Sequence, residues 1–328
     1  MREPMKNSAR RSLQAVLGLR EGESVLIVTD RESARVGWAF ELAARELNAL
    51  PTVYRLPDEG RPLTAVPADL AGPLENATVV INCFTSAAEE TPFRIELLQM
   101  ATAGSRRVGH APGITEDMMI FGPMDVDYRE LQKRANRFLA SLRNASYLRI
   151  TAPGGTDLTL YIEGRSFVTD VFVRPGTYGN LPCGEVWCAP IETLGEGTLV
   201  CDGTVGDMGS PPAPLTLQIE RGRITRAQCP DEAYLERVRK LLAVDPEASV
   251  LGEFGIGINP KTRVTENMLE AEKAFRTSHV AFGNNEDLPG GHNHSRTNRE
   301  FLFRDPTIHV FYTDGSASMV VEDGLIGV

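Results

Sequence analysis

Hydrophobic and polar positions divide this chain into two textures. In the first, short β-branched runs alternate with helical stretches. "SVLIVTD" (24–30) reads as a strand, "ESARVGWAFELAARELNA" (32–49) has helical spacing and strong helix formers, and "PTVYRL" (51–56) is strand-like again. Together they make a βαβ unit. A buried-type strand follows at 77–84 ("ATVVINCF") and a helix at 92–103. A short strand at 106–113 ends in a Gly/Pro turn, and 127–145 is a long amphipathic helix. Strands alternating with helices predict an open, largely parallel sheet flanked by helices.

The second texture begins near residue 145. "YLRITAPGGTDLTLYIEG" (147–164) reads as a hairpin around Pro-Gly-Gly. "GTLVCDGTVG", "LTLQIERGRITRAQ" and "TIHVFYTDGSASMVVEDG" add short strands with Gly-rich turns, and the clear helix is 231–245. The expectation is an α/β domain over 1–145 and a β-rich α+β domain over 146–328. The turn after the first strand, "TDRESARVG", carries neither G-x-G-x-x-G nor a Walker-type loop, so the first domain reads as an α/β sheet without a dinucleotide.

Composition narrows the function classes. The 328 residues are 42% hydrophobic and 24% charged, a normal globular balance with room for two domains. A net charge of −10 argues against nucleic acid or an anionic membrane as main partner. No apolar run approaches the roughly 20 residues of a membrane helix. The charged start "MREPMKNSARRSLQ" lacks an apolar signal core. Five cysteines without C-x-x-C spacing fit buried, reduced thiols better than a zinc ribbon or disulfide scaffold, and a cytoplasmic setting is expected.

Four segments of the second half combine acids or histidine with glycine: "LPCGEVWCAP" with Glu185, "LGEFGIGINP" with Glu253, "LEAEKAFRTSHVAFG" with Glu270, Glu272 and His279, and "GHNHSRTNRE" (291–300). Glu253 lies between glycines in an apolar segment, where an ionised carboxylate needs a partner. His279 sits in a β-branched run; a strand histidine of this kind is a core residue, a metal ligand or a proton shuttle. In 291–300, H-x-H and N-x-E can each place two side chains on one side of an extended strand. Taken alone, that stretch reads as a solvent-exposed loop.

In combination and order, these four segments resemble the metallo-aminopeptidases of the aminopeptidase T and aminopeptidase S family. The resemblance covers the second half and is loose in the first. It implies a two-metal site that removes N-terminal residues from peptides with metal-activated water, using zinc, cobalt or manganese, in a homodimer. Glu185 and Glu253 match its two acids, as ligands and as bridge or base, and His279 matches its strand histidine. Its last ligand pair, a histidine and an aspartate, falls on Asn298 and Glu300. A second register would offer His309, but then puts Phe311 at the aspartate. The family's tyrosine seven residues after the strand histidine is replaced by Glu286. With the usual imidazole missing at 298, His292 or His294 is a candidate replacement ligand. Two other readings stay open. One is a non-haem Fe(II) dioxygenase of the 2,5-dihydroxypyridine type, built on His279, one of His292 or His294, and Glu300. The other is a metal-free relative that binds rather than catalyses. The expected substrate is a small peptide or small molecule.

Overall fold

Valine and isoleucine dominate Ser24–Thr29 and Val79–Cys83, and nearly every side chain in them is buried, as expected of strands covered on both faces. They lie at the centre of a five-stranded, all-parallel sheet in the order Leu50–Arg55, Ser24–Thr29, Val79–Cys83, Arg107–His110, Thr177–Asn180. The helices Ala34–Glu46 and Thr91–Thr102 fall where periodicity predicts them. A further helix, Arg2–Ala15, buries Met5, Ala9 and Leu13 at i, i+4 and i+8. The computed structural model describes residues 2–327.

The chain divides into two units, but not by one cut. The first holds the residues up to Gln132 together with Asp170–Cys183; the second holds Lys133–Thr169 and the residues from Gly184 onward. The expected boundary at 145/146 therefore gives way to a division at 132/133 with a returning segment. The reason is strand pairing: Thr177–Asn180 hydrogen-bonds in parallel with Arg107–His110, completing the first unit's sheet from far along the sequence.

The second unit is β-rich, with two antiparallel sheets. One has eight strands and contains the Ala145–Thr151/Asp157–Tyr161 hairpin, while the helix Glu232–Leu242 falls at the predicted place. The other has five strands, in the order Asn298–Arg304, Thr277–Gly283, Leu251–Gly257, Glu185–Cys188, Val168–Thr169. Phe254, Phe282, Phe301 and Phe303 make its apolar face, where Phe282 and Phe301 meet edge to face. All five cysteines are buried, and none is in a disulfide among the described residues. Among the described residues, no helix is long and apolar enough to cross a membrane.

Candidate metal centre

The register of the five-stranded sheet gathers side chains far apart in sequence. Gly257 pairs with Glu185, Gly255 pairs with both Trp187 and His279, and Glu253 pairs with Ala281. On the next strand, Glu300 lies opposite Ala281 and Asn298 opposite Gly283. Side chains alternate along a strand. Glu185, Glu253, His279, Asn298 and Glu300 therefore share the face opposite the phenylalanines. Trp187 shares that face and is half-buried.

Glu253 reaches this face through a bulge. Leu251 lies opposite Phe282, but Glu253 lies opposite Ala281, a one-residue shift between them. A shift of one residue exchanges the faces of a strand. Without it, Glu253 would point with Phe282 into the apolar side. Glu253 is thus a strand residue at a bulge and not the turn residue its flanking glycines suggest.

His279 is fully buried, and its Nε2 lies 3.3 Å from Glu253 Oε1 and 4.0 Å from Glu185 Oε2. Burial disfavours the imidazolium. The hydrogen bond to Glu253 and the fields of Glu253, Glu185 and Glu272 outweigh it and raise the imidazole to about 9. Glu272, the C-cap of the short helix Met268–Ala271, joins the cluster. Burial, helped by Glu185 and Glu300 and opposed by Lys273, pushes its carboxyl up to about 8. Desolvation also raises Glu300, with Arg299 acting against it and Glu253 with it. Lys273 is fully buried, with its Nζ 3.0 Å from Glu185 Oε1 and in contact with Glu272. Glu270, in the same segment, is taken up by Arg263 at 3.1 Å.

These residues fit a divalent ion. One ligand atom each from Glu185, Glu272 and His279 lies within 4.8 Å of the others. The Oδ1 of Asn298 is buried without a hydrogen-bond partner among the described residues. Carboxylates and one imidazole form a donor set that zinc, manganese or cobalt accepts.

The segment 291–300 is loop up to Thr297 and strand from Asn298. Its alternation is real: Asn293, Ser295 and Thr297 are buried, whereas His292, His294 and Arg296 are exposed. Asn293 donates to the Gly283 carbonyl at 2.7 Å, and Ser295 donates to Asp245 at 3.0 Å. These bonds pin the inward residues and turn both histidines outward. His294 Nδ1 pairs with Glu286 at 2.6 Å, and the backbone N–H of His292 donates to Glu192 at 2.9 Å. Neither imidazole belongs to the buried group around His279. His309 lies on an exposed position of the eight-stranded sheet, opposite Met319. The sequence names Glu272 among the candidate acids but gives it no place as a ligand, and Lys273 is not named at all; the clue is an adjacent acid and base just before the buried strand Thr277–Gly283.

The family model of thermophilic metalloproteases (M29) matches residues 126–325, more than half of the chain. The chain belongs to this family. It is also 32% identical over 132 residues to the 2,5-dihydroxypyridine 5,6-dioxygenase of Pseudomonas putida, a match that spans 38% of this chain and 37% of that enzyme. Two solved structures share the fold over nearly the whole chain. AmpT from Thermus thermophilus superposes with a TM-score of 0.77 at 19% identity, covering 99% of each chain. The 2,5-dihydroxypyridine dioxygenase from Pseudomonas putida gives 0.74 at 20% identity, covering 99% of this chain and 97% of that one. As a member of a metalloprotease family, the chain is metallopeptidase-like, and the family implies a divalent metal.

Proposed function

We propose that the protein is a metal-dependent hydrolase of the aminopeptidase type, removing N-terminal residues from small peptides. The observation that carries this reading is the donor set. The buried group offers several carboxylates but a single imidazole, His279. A facial Fe(II) triad of the kind used by non-haem oxygenases takes two imidazoles, and His292 and His294 face solvent instead. A hydrolytic centre works with carboxylate ligands.

In this reading Glu185, Glu272 and His279 hold the ion, with Asn298 Oδ1 on the same face. A divalent ion bound there lowers the pKa of a water and polarises the scissile carbonyl. Glu253 is the general base: its side chain is more exposed than that of Glu185, and it is not one of the three residues whose ligand atoms converge, so it is left to take a proton from the water. Its Oε1 lies 3.3 Å from His279 Nε2, which places the carboxylate beside the nitrogen that would hold the ion. Glu300, on the neighbouring strand, supplies negative charge for the ammonium of a free N-terminus. Homodimer assembly and a cytoplasmic setting belong to the same proposal.

The second reading is a dioxygenase acting on a dihydroxylated pyridine or a related aromatic diol, favoured by the identity to the Pseudomonas putida enzyme. Both are tested on one preparation. Aminoacyl-amide and dipeptide hydrolysis is measured after loading with zinc, manganese or cobalt, and oxygen uptake with 2,5-dihydroxypyridine after anaerobic loading with Fe(II). Hydrolysis that is lost in His279→Ala supports the first reading; oxygen uptake without hydrolysis replaces it with the second.

A further inference from the structure

Lys273 has an unusual position for a lysine. It is fully buried, yet its stem places the ammonium inside an acidic centre, against Glu272 and 3.0 Å from Glu185 Oε1. The other oxygen of Glu185 lies 4.0 Å from His279 Nε2. One carboxylate thus faces an imidazole nitrogen with one oxygen and an ammonium with the other. In a two-ion hydrolytic centre the ions sit roughly 3.5–4 Å apart and clamp the reacting oxygens between them. A carboxylate that bridges such a pair gives one oxygen to each ion. Glu185 has this posture, but the cation on its Oε1 side belongs to the chain.

The donor count agrees. Among the described residues a single group of three His, Cys, Asp or Glu brings its ligand atoms within 4.8 Å, and two of its three members, Glu185 and Glu272, already contact Lys273. A buried ammonium left unpaired is costly, and these two carboxylates offset that cost. Displacing Lys273 to admit a second ion would strand the ammonium in the interior.

We propose that Lys273 is a resident counter-cation that occupies the place of a second metal ion, so that the centre takes one divalent ion, on the His279 side of Glu185. The inference rests on the metal-dependent reading above and adds the number of ions and the residue that sets it. Lys273 acts as a positioning residue: it fixes Glu185 Oε1 and leaves Oε2 for the ion.

The test is Mn²⁺ stoichiometry, by elemental analysis of gel-filtered protein, together with the electron paramagnetic resonance spectrum of the bound ion. The full chain is expected to retain roughly one Mn²⁺ with an uncoupled spectrum, and Lys273→Arg to do the same. Lys273→Met is expected to take up a second ion, with the exchange coupling that only two neighbouring Mn²⁺ ions produce. Two coupled ions in the parent overturn the proposal. So does a Lys273→Met variant that is folded by circular dichroism and still binds one ion. If that variant does not fold, the parent's stoichiometry decides between one ion and two. A parent that binds no Mn²⁺, with His279→Ala indistinguishable from it, overturns the metal reading itself and is recognisable as that separate failure.

Discussion

Gly255 lies directly opposite His279, and the imidazole fills the space a side chain at 255 would need: a Cβ there would stand 2.2 Å from Cε1 and 2.4 Å from Nε2. The glycine is required for space. Gly255→Ala is therefore expected to push the ring off its position beside Glu253 and to cost about 1–3 kcal/mol, the usual penalty of overpacking. Urea denaturation of the metal-free protein reads the stability. A metal titration reads the displaced ligand, as a weaker affinity. Unchanged stability and unchanged affinity together would show that the ring moves aside freely.

Glu253→Gln separates base from ligand. It keeps the volume and a hydrogen-bonding group beside His279 but cannot take a proton. With the aminopeptidase assay, kcat is expected to fall by roughly 10²–10⁴-fold, the range of a general base. Metal content is expected to persist, since Glu185, Glu272 and His279 remain. Loss of the metal along with the rate would make Glu253 a ligand instead.

How far the site could be read from sequence depends on which forces place each residue. The αβ alternation of the first half follows from local periodicity, and its strands and helices fall within a few residues of their expected places. The helix Arg2–Ala15 was missed because its charges hide the Met5, Ala9, Leu13 stripe. Thr177–Asn180 was assigned to the wrong unit because its pairing with Arg107–His110 is a long-range choice that a short polar segment does not announce. In the centre, motif order pointed to Glu185, Glu253 and His279, and the sheet register brings them to one face. The bulge before Glu253 is invisible locally, since only cross-strand pairing defines it. The two-residue alternation at 291–297 is legible, but which side faces solvent is set by bonds to Gly283 and to Asp245, the latter 50 residues from Ser295 in sequence.

The double variant His292→Ala/His294→Ala tests that orientation. Both rings are exposed, and the His294–Glu286 pair at the surface contributes little to stability after solvent screening. Metal content and metal affinity are expected to match the parent. A loss of bound ion in the double variant would place one of these imidazoles in the centre and reopen the Fe(II) reading.

A last prediction concerns the first unit, where Asp30 ends the strand after Thr29 and receives the Arg61 guanidinium at 2.7 Å, the backbone N–H of Thr85 at 2.8 Å and that of Ser33 at 2.9 Å. Burial alone would raise its carboxyl. The donors from Thr85, Arg61 and Ser33 outweigh that and hold it at about 2, below its ordinary 3.8. A carboxyl depressed in the folded state contributes stability that is fully present above the unfolded value and is lost as pH falls toward the folded one. The shift corresponds to about 2 kcal/mol, present at neutral pH and lost between about pH 4 and pH 2. Asp30→Asn should remove this contribution at neutral pH and flatten the acid limb of the stability curve. Arg61 would keep Glu90, which it also contacts at 2.8 Å, so the guanidinium is not left alone. Urea denaturation of parent and variant at neutral pH and near pH 3 measures both effects. Equal acid sensitivity in the two proteins would mean that other carboxylates carry the acid unfolding and that Asp30 does not.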